Sequence, residues 1–146
     1  MLNENVELKI CPIAQSLSVL GDAWSMLILR DAHFGYTRFD QFRKSLSIAP
    51  TMLTKRLASL VNAGLLEKSP YSVHPPREEY ILTRAGKDFL PVLFVLGDWG
   101  RKYNPSENPE QMTTFFDVEN GTEIKPIVID EVTGAKIGSR AMRAGD

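Results

Sequence analysis

The sequence has few of the residues that metal-centred or nucleophilic chemistry requires. Its 146 residues include one cysteine, Cys11, and two histidines, His33 and His74. A single cysteine excludes an internal disulfide framework and a multi-cysteine zinc site, and two distant histidines leave little material for a metal centre. The chain has no phosphate-binding glycine loop, no H-E-x-x-H motif and no suggested nucleophile–base pair. We therefore expect no metal, no cofactor and no enzymatic activity.

Long apolar runs and an export signal are also missing. The longest apolar run covers eight residues, 89–96, and contains Pro91, whereas a bilayer span needs about 18–20 residues. Residues 1–5 lack the basic start and apolar stretch of a signal peptide. No internal repeat is evident. The default expectation is a cytoplasmic protein without a membrane partner.

Charge is present in balanced amounts but is unevenly placed. The composition, 43% hydrophobic and 24% charged, can build a core, and the net charge is −1. Residues 1–104 carry 13 basic and 10 acidic residues, whereas residues 105–146 carry 4 and 8. The segment from residue 38 to residue 87 contains nine basic residues and only four acidic ones. This asymmetry points weakly to a polyanionic partner, and a solvated helix face is the alternative interpretation.

Hydrophobic spacing predicts helices separated by clear stop signals, followed by a hairpin and a further helix. The predicted elements are helices over 12–20, 23–34, 38–46 and 50–62, strands over 65–69 and 79–82 around a wing loop at 70–78, and a helix over 85–103 capped by Thr83. Residues 104–112 are predicted to be a linker. The tail, with β-prone runs at 114–118 and 125–129, is predicted to be a small antiparallel β unit. The predicted domains are therefore 1–104 and a small appendage at 105–146.

This order of elements is the plan of a winged helix-turn-helix, in the α+β class. A B-DNA major groove is about 12 Å wide and admits one α-helix, which the second helix of such a motif supplies while the first braces it. Residues 38–46 and 50–62 form the predicted pair, with a turn at 47–49. The second helix would offer short hydroxyls and cations to base edges and phosphates.

Three segments resemble the HxlR-type winged-helix transcriptional regulators of bacteria. They are CPIAQSLSVLGDAWSMLILRDAHFGYTRFDQFRKSL at 11–46, IAPTMLTKRLASLVNAGLLEK at 48–68 and PPREEYILTRAG at 75–86. The resemblance implies a homodimer that binds a specific DNA operator and controls transcription. Ala49 departs from it, because the family often has serine before the recognition helix. Loss of that capping hydroxyl costs about 1 kcal/mol, which Pro50 partly offsets by presetting the helical φ.

The candidate DNA-binding residues carry hydroxyl or cationic groups in the helix-turn-helix and wing. They are Thr37, Arg38, Lys44, Thr51, Thr54, Lys55, Arg56 and Arg77. Thr37 would present its backbone N–H to a phosphate, and Arg77 would reach a minor groove or a phosphate. The alternative for Arg77 is a solvated arginine paired with Glu78 or Glu79. His74 is predicted to be a surface residue of the wing and His33 a structural residue.

Cys11 and the apolar helix faces suggest regulation and dimerisation. Cys11 precedes Pro12 at a helix N-terminus, where the macrodipole favours a thiolate. The family resemblance implies a redox sensor at about this position, the alternative being a quiet cysteine at a dimer interface. The predicted dimer interface contains Leu17, Leu20, Leu93, Leu96 and Trp99.

Two questions stay open at the level of sequence. The tail could pack on the helices, extend the dimer or shape a pocket for a small-molecule effector. The function could also be that of a winged-helix module for protein–protein contact that binds no DNA.

Overall fold

The computed structural model describes residues 11–145, and the chain divides into two units, Met1–Leu90 and Pro91–Asp146. The first unit contains the helix-turn-helix and the hairpin. Its elements are α1 (Pro12–Leu20), α2 (Ala23–His33), α3 (Phe39–Leu46), α4 (Pro50–Asn62), β1 (Leu66–Ser72), β2 (Arg77–Leu82) and α5 (Arg84–Lys87). The predicted winged helix-turn-helix is confirmed, and the predicted bounds of α4 agree with the observed ones.

Local capping chemistry sets the helix ends in the first unit. Asp22 caps α2, because its Oδ1 accepts a hydrogen bond from the Ser25 amide at 2.8 Å and its Oδ2 accepts one from the Ser25 hydroxyl at 2.7 Å. Ser47 ends α3 in the left-handed region, with φ of 50°. The predicted turn follows, and α4 begins at Pro50 with Ala49 as an N-cap that makes no side-chain hydrogen bond.

The wing is longer in its strands and shorter in its loop than the sequence predicts. β1 and β2 pair antiparallel from Leu66↔Leu82 to Ser72↔Arg77, with an irregular register between Pro70 and Ser72. The prolines suggested a loop from residue 70, but both strands of a two-stranded sheet are edges, where a proline can be tolerated. Only residues 73–76 therefore separate the strands.

The core of the first unit collects the apolar faces of its helices and the start of β1. The buried hydrophobic residues are Leu20, Ile28, Leu29, Ala32, Phe42, Ile48, Leu53, Leu57, Leu60 and Leu66. Asp31 is also buried, and its Oδ1 accepts hydrogen bonds from the Arg30 guanidinium at 2.9 and 3.1 Å. α4 is thus held by one face, which leaves its opposite face exposed.

The predicted helix over 85–103 is interrupted. α5 ends at Lys87, and α6 (Leu90–Tyr103) begins after a turn at residues 88–89. Pro91 explains the break, because proline cannot donate to the carbonyl of residue 87 and its ring clashes with that carbonyl in a continuous helix. The continuous helix was therefore a wrong prediction, although a C-terminal helix is present.

The tail of the second unit contains turns rather than strands. Its antiparallel pairing is limited to two isolated bridges, Phe116↔Glu123 and Ile129↔Lys136. A single-turn 3-10 helix at Pro109–Gln111 lies within the predicted linker. The two turn signals at Asn120-Gly121 and Thr133-Gly134 mark real turns, but the β-prone runs do not extend into strands within residues 11–145.

The two turns repeat one hydrogen-bond pattern, which the sequence analysis missed. In each turn an aspartate, Asp117 or Asp130, accepts hydrogen bonds through Oδ1 from the amides two and three residues later. In each, the glycine four residues after the aspartate has φ of 71° and donates its amide to the aspartate carbonyl. The repeat is hard to see because Asp117–Gly121 and Asp130–Gly134 share only their first and last residues.

No single helix of the described chain is long and apolar enough to cross a membrane. Only α1 and α2 taken together, which are bent by 82° to each other, have the length and composition of a span within the described residues. Within residues 11–145 no group of three or more histidine, cysteine, aspartate or glutamate side chains is placed to hold a metal ion.

Candidate nucleic-acid interface

The exposed face of α4 carries polar and cationic side chains. Leu53, Leu57 and Leu60 are buried on the opposite face, and this anchors the helix along its length. Thr51, Thr54 and Lys55 are exposed, as the sequence predicts. The Thr54 hydroxyl donates to the Pro50 carbonyl at 2.9 Å, so its oxygen keeps acceptor capacity towards solvent. The Lys55 ammonium has no ion pair within the described part of the chain.

The N-terminus of α4 is left open to solvent by its sequence. Ala49 has no side-chain acceptor and Pro50 has no amide hydrogen, so the first free amides belong to Thr51 and Met52. An uncapped helix N-terminus carries partial positive charge and favours an anion. A serine at position 49 would satisfy one of these amides from within the chain, whereas Ala49 leaves both for an outside group.

Arg56, unlike its neighbour Lys55, lies beside a carboxylate of the same chain. Its Nε lies 3.5 Å from Asp22 Oδ1, and both side chains are about 70% buried, with exposed fractions of 30% and 26%. Burial acts to raise the pKa of Asp22, but hydrogen bonds from Ser25 and the Arg56 charge outweigh it and lower the pKa below its ordinary value. Arg56 thereby connects α4 to the N-terminus of α2, a link that sequence reasoning missed.

Thr37 is committed to contacts within the first unit. Its amide donates to Gln41 Oε1 at 2.9 Å and its hydroxyl donates to Glu79 Oε2 at 2.8 Å, while its carbonyl accepts the Tyr80 amide at 2.7 Å. The amide that was predicted to face a phosphate is thus occupied in the free protein. These bonds join the start of α3 to β2 and position the wing against the helix-turn-helix.

Arg38 is exposed and stacks on an aromatic ring of the wing. Its guanidinium carbon lies 4.1 Å from the centre of the Tyr71 ring, a distance typical of a cation–π contact. Stacking leaves the guanidinium N–H groups free at the edge of the plane. The sequence did not predict this contact, because residues 38 and 71 are far apart in the chain and no spacing rule connects them.

Lys44 on α3 and Arg77 at the start of β2 are exposed. Neither forms an ion pair within residues 11–145, so the predicted alternative pairing of Arg77 with Glu78 or Glu79 is not seen. Glu78 pairs instead with Lys68, at 3.7 Å. His74, also exposed, lies in the wing loop.

His33 and Cys11 belong neither to α4 nor to the wing. His33 Nε2 donates to the Gly86 carbonyl at 3.1 Å, which links α2 to α5. Burial lowers the pKa of His33, and the Gly86 hydrogen bond, which acts in the opposite direction, offsets this only in part. Cys11 is the half-buried N-cap of α1 and caps no amide with its side chain.

The residues predicted at a dimer interface differ in exposure. Leu20 is buried in the core of the first unit, so little of it remains for a partner, whereas Leu17 is exposed. In the second unit Leu93 is half-buried, and Leu96 and Trp99 are 49% and 59% exposed. An uninterrupted apolar surface, which we call the α6 face, includes these last two residues. It is lined by Pro91, Val92, Val95, Leu96, Trp99 and Val128.

The chain is similar to known proteins in sequence and in structure. The model of the HxlR-like helix-turn-helix family matches residues 19–108. An uncharacterised HTH-type transcriptional regulator of Mycobacterium tuberculosis is 43% identical over 93 residues, which cover 64% of this chain and 59% of that protein. The chain thus spans about three-fifths of the length of the curated relative it matches.

Solved structures show the same architecture. The crystal structure of PA1607, a candidate transcription factor, has a TM-score of 0.81 at 33% identity and covers 94% of this chain and 98% of that one. The match therefore includes most of the second unit. The redox regulator HypR in its reduced form has a TM-score of 0.59 at 31% identity and covers 63% of this chain and 92% of that one. Together with the family match, these findings show that the chain belongs to the HxlR-like helix-turn-helix family.

Proposed function

We propose that this protein is a transcriptional regulator that binds a specific duplex DNA sequence through α4 and the wing. The observation that carries the proposal is the exposed, unpaired cationic and hydroxyl face of α4 beside an uncapped helix N-terminus. α4 would enter the major groove with Thr51, Thr54 and Lys55 towards base edges and phosphates. Lys44 and Arg77 would contact the backbone, and the wing at residues 70–78 would follow the minor groove or backbone.

Arg38 and Thr37 fit supporting positions in this proposal. Arg38, held over Tyr71, would offer its guanidinium edge to a phosphate without losing much side-chain entropy on binding. Thr37, whose polar groups are already bonded, would fix the angle between α3 and the wing. Because relatives such as the Mycobacterium tuberculosis protein are transcriptional regulators, we propose that the chain acts by binding rather than by catalysis.

We further propose that the DNA-binding form is a homodimer in which two copies meet at the α6 face. Trp99, Leu96 and Val95 expose apolar surface along one side of this helix, and a contiguous exposed apolar patch marks an interaction site. A two-fold pair can present the same patch from both copies. Two copies of α4 about 34–36 Å apart would then meet successive major grooves on one side of the duplex.

The test begins with selection of bound sequences from a random DNA pool, followed by anisotropy titrations of the selected duplex. We expect affinity to fall by about 10³–10⁵ between 50 and 200 mM salt if 6–10 phosphates are contacted. Lys55→Ala should weaken binding and reduce the salt slope by about one. Lys87→Ala, which removes an exposed lysine from outside the helix-turn-helix and wing, is the matched control. Failure to enrich any sequence would favour the protein–protein interaction module.

The prediction that Cys11 responds to oxidants stays a prediction. Its half-buried position at the N-cap of α1 and the similarity to the redox regulator HypR support it. The selected duplex allows a direct check, in which diamide is added to the complex of the wild-type protein and of Cys11→Ser. Release of wild-type protein alone would support thiol sensing, and equal behaviour would make Cys11 structural.

A further inference from the structure

The second unit contains a cavity of about 380 Å³ between α6 and the tail. Phe94, Gly97, Asp98 and Arg101 line it from α6, at positions that share one side of a helix. Phe115 and the segment 123–127 form the facing wall, together with Lys136. Ligand pockets in proteins have volumes of about 300–1,000 Å³, so the cavity is large enough for a small organic molecule.

Two aromatic rings line part of the cavity. The rings of Phe94 and Phe115 are 5.5 Å apart between centroids and inclined at 57°, which gives a hydrophobic corner. Gly97 lies beside it in the interior of α6, where glycine costs about 1 kcal/mol relative to alanine. A Cβ built on Gly97 meets nothing within 4 Å, so close packing does not explain this glycine. Its effect is to leave the cavity wall without a side chain.

The polar lining carries more positive than negative charge. Its cations are Arg101, Lys125 and Lys136, and its acids are Asp98 and Glu123. Lys125 and Glu123 pair with each other at 3.8 Å. Arg101 donates through Nη2 to the Thr113 carbonyl, but within residues 11–145 neither Arg101 nor Lys136 has a carboxylate partner.

We propose that this cavity binds a small aromatic carboxylate. The ring would pack against Phe94 and Phe115 in the space that Gly97 leaves, and the carboxylate would pair with Arg101 and Lys136. A guanidinium matches a carboxylate with two parallel hydrogen bonds, and such charge-assisted bonds are stronger than neutral ones. Asp98 on the same wall opposes an anion in part, so the binding of a minimal ligand is modest.

The experiment uses the full chain in the absence of DNA, so its result does not depend on the proposed function. Benzoate is the probe, and its binding is followed by calorimetry and by ligand-observed NMR. We expect saturable binding with Kd on the order of 1 mM, as befits a ligand of this size. Acetate tests the need for the ring, benzyl alcohol the need for the charge, and benzylamine the sign of the charge. Absence of saturable benzoate binding, or equal binding of benzylamine, would overturn the proposal.

Two pairs of variants place the benzoate in this cavity. Gly97→Leu fills the cavity, whereas Gly100→Leu adds the same side chain to another α6 glycine with open space around it. Arg101→Gln removes the proposed carboxylate partner, and Lys102→Gln removes a neighbouring positive charge that does not line the cavity. The first member of each pair should raise Kd at least about tenfold, and the second should leave it within about twofold. Equal losses within a pair would place the ligand elsewhere, and circular dichroism would verify that each variant is folded.

Discussion

The two units of this chain use their apolar residues in opposite ways. In the first unit, α2, α4 and neighbouring elements bury a core that includes Phe42, Leu53 and Leu57 at 0% exposure. In the second unit, none of the described residues from 91 to 145 is buried. Its large apolar side chains are instead half-buried or exposed, with Trp99 at 59% and Phe116 at 58% exposure.

This contrast indicates where folding energy and binding energy reside. Burial of apolar surface contributes about 25 cal/mol per Å², so the first unit carries the buried area that holds α4 in place. The second unit keeps its apolar surface available, and a surface of this kind is typical of an interface. Stability of the second unit should therefore depend on protein concentration, whereas that of the first should not.

Matched phenylalanine truncations give the largest expected difference between the units. Phe42→Ala removes a fully buried ring and should cost about 3–5 kcal/mol in the free energy of unfolding. Phe116→Ala removes a largely exposed ring and should cost less than about 0.5 kcal/mol. Urea denaturation followed by circular dichroism measures both. A Phe116→Ala cost close to that of Phe42→Ala would show that the second unit has a core after all.

The next expected effect is on self-association. Trp99→Asp places a charge in the α6 face and should raise the dimer Kd at least about thirtyfold, as loss of an aromatic hot spot does. Val118→Asp makes the same kind of change at a side chain that is 99% exposed and lies outside the α6 face. Sedimentation equilibrium compares the two. A dimer that tolerates Trp99→Asp but not Val118→Asp would move the interface into the tail.

A smaller effect is expected at the pair that joins α4 to α2. In a double-mutant cycle, Arg56→Ala and Asp22→Ala should show a coupling of about 0.5–1 kcal/mol, the usual range for an incompletely buried ion pair. Both variants lose stability, so DNA affinity is measured on samples verified to be folded. If Arg56→Ala weakens DNA binding as strongly as Lys55→Ala without any coupling to Asp22, Arg56 is a DNA contact, as the sequence predicts, and not a link between helices.

The smallest expected effect is the pH dependence that His33 gives to the first unit. Its pKa is lowered in the folded state, so the unfolded chain binds the proton more readily. Stability contributed by neutral His33 is therefore present above the unfolded pKa of about 6.5 and is lost as the pH falls towards the folded pKa. Asp22, whose pKa is also lowered, loses its contribution only in stronger acid, below about 3.8. His33→Gln should flatten the stability curve below pH 6.5 and leave the Asp22 range unchanged.

Much of the fold could be predicted from the sequence because it depends on near neighbours. Asp22 caps the helix that follows it by accepting an amide three residues away, and the apolar spacing of α4 defines its buried face whichever residues cover it. The wing was predicted, but its loop was predicted to be too long. Prolines favour a loop, and the local sequence does not show that β1 is an edge strand, in which a proline is tolerated. The tail was predicted to be a small antiparallel β unit, and its antiparallel pairing is limited to two bridges, because β-prone composition does not reveal how far a pairing extends.

The candidate site was predicted in its residue types but not in its contacts. Lys55 and Arg56 are adjacent and chemically alike, yet one is exposed and the other reaches Asp22. Arg38 and Tyr71 meet because β2 is bonded to Thr37, next to Arg38, and carries the paired strand β1 with it. Contacts of this kind join distant parts of the sequence, and periodicity and spacing carry no information on them.

The sequence by itself determined α1 to α4, the caps at Asp22 and Thr83, and the family, since each depends on residues within a few positions or on recognisable motifs. Only the tertiary structure decided which cations stay unpaired, that Arg56 reaches Asp22, and that Phe94, Gly97 and Arg101 line a cavity with the tail. The physical reason is that hydrogen bonds, ion pairs and cavities depend on distances between side chains, and chain folding sets those distances across dozens of residues.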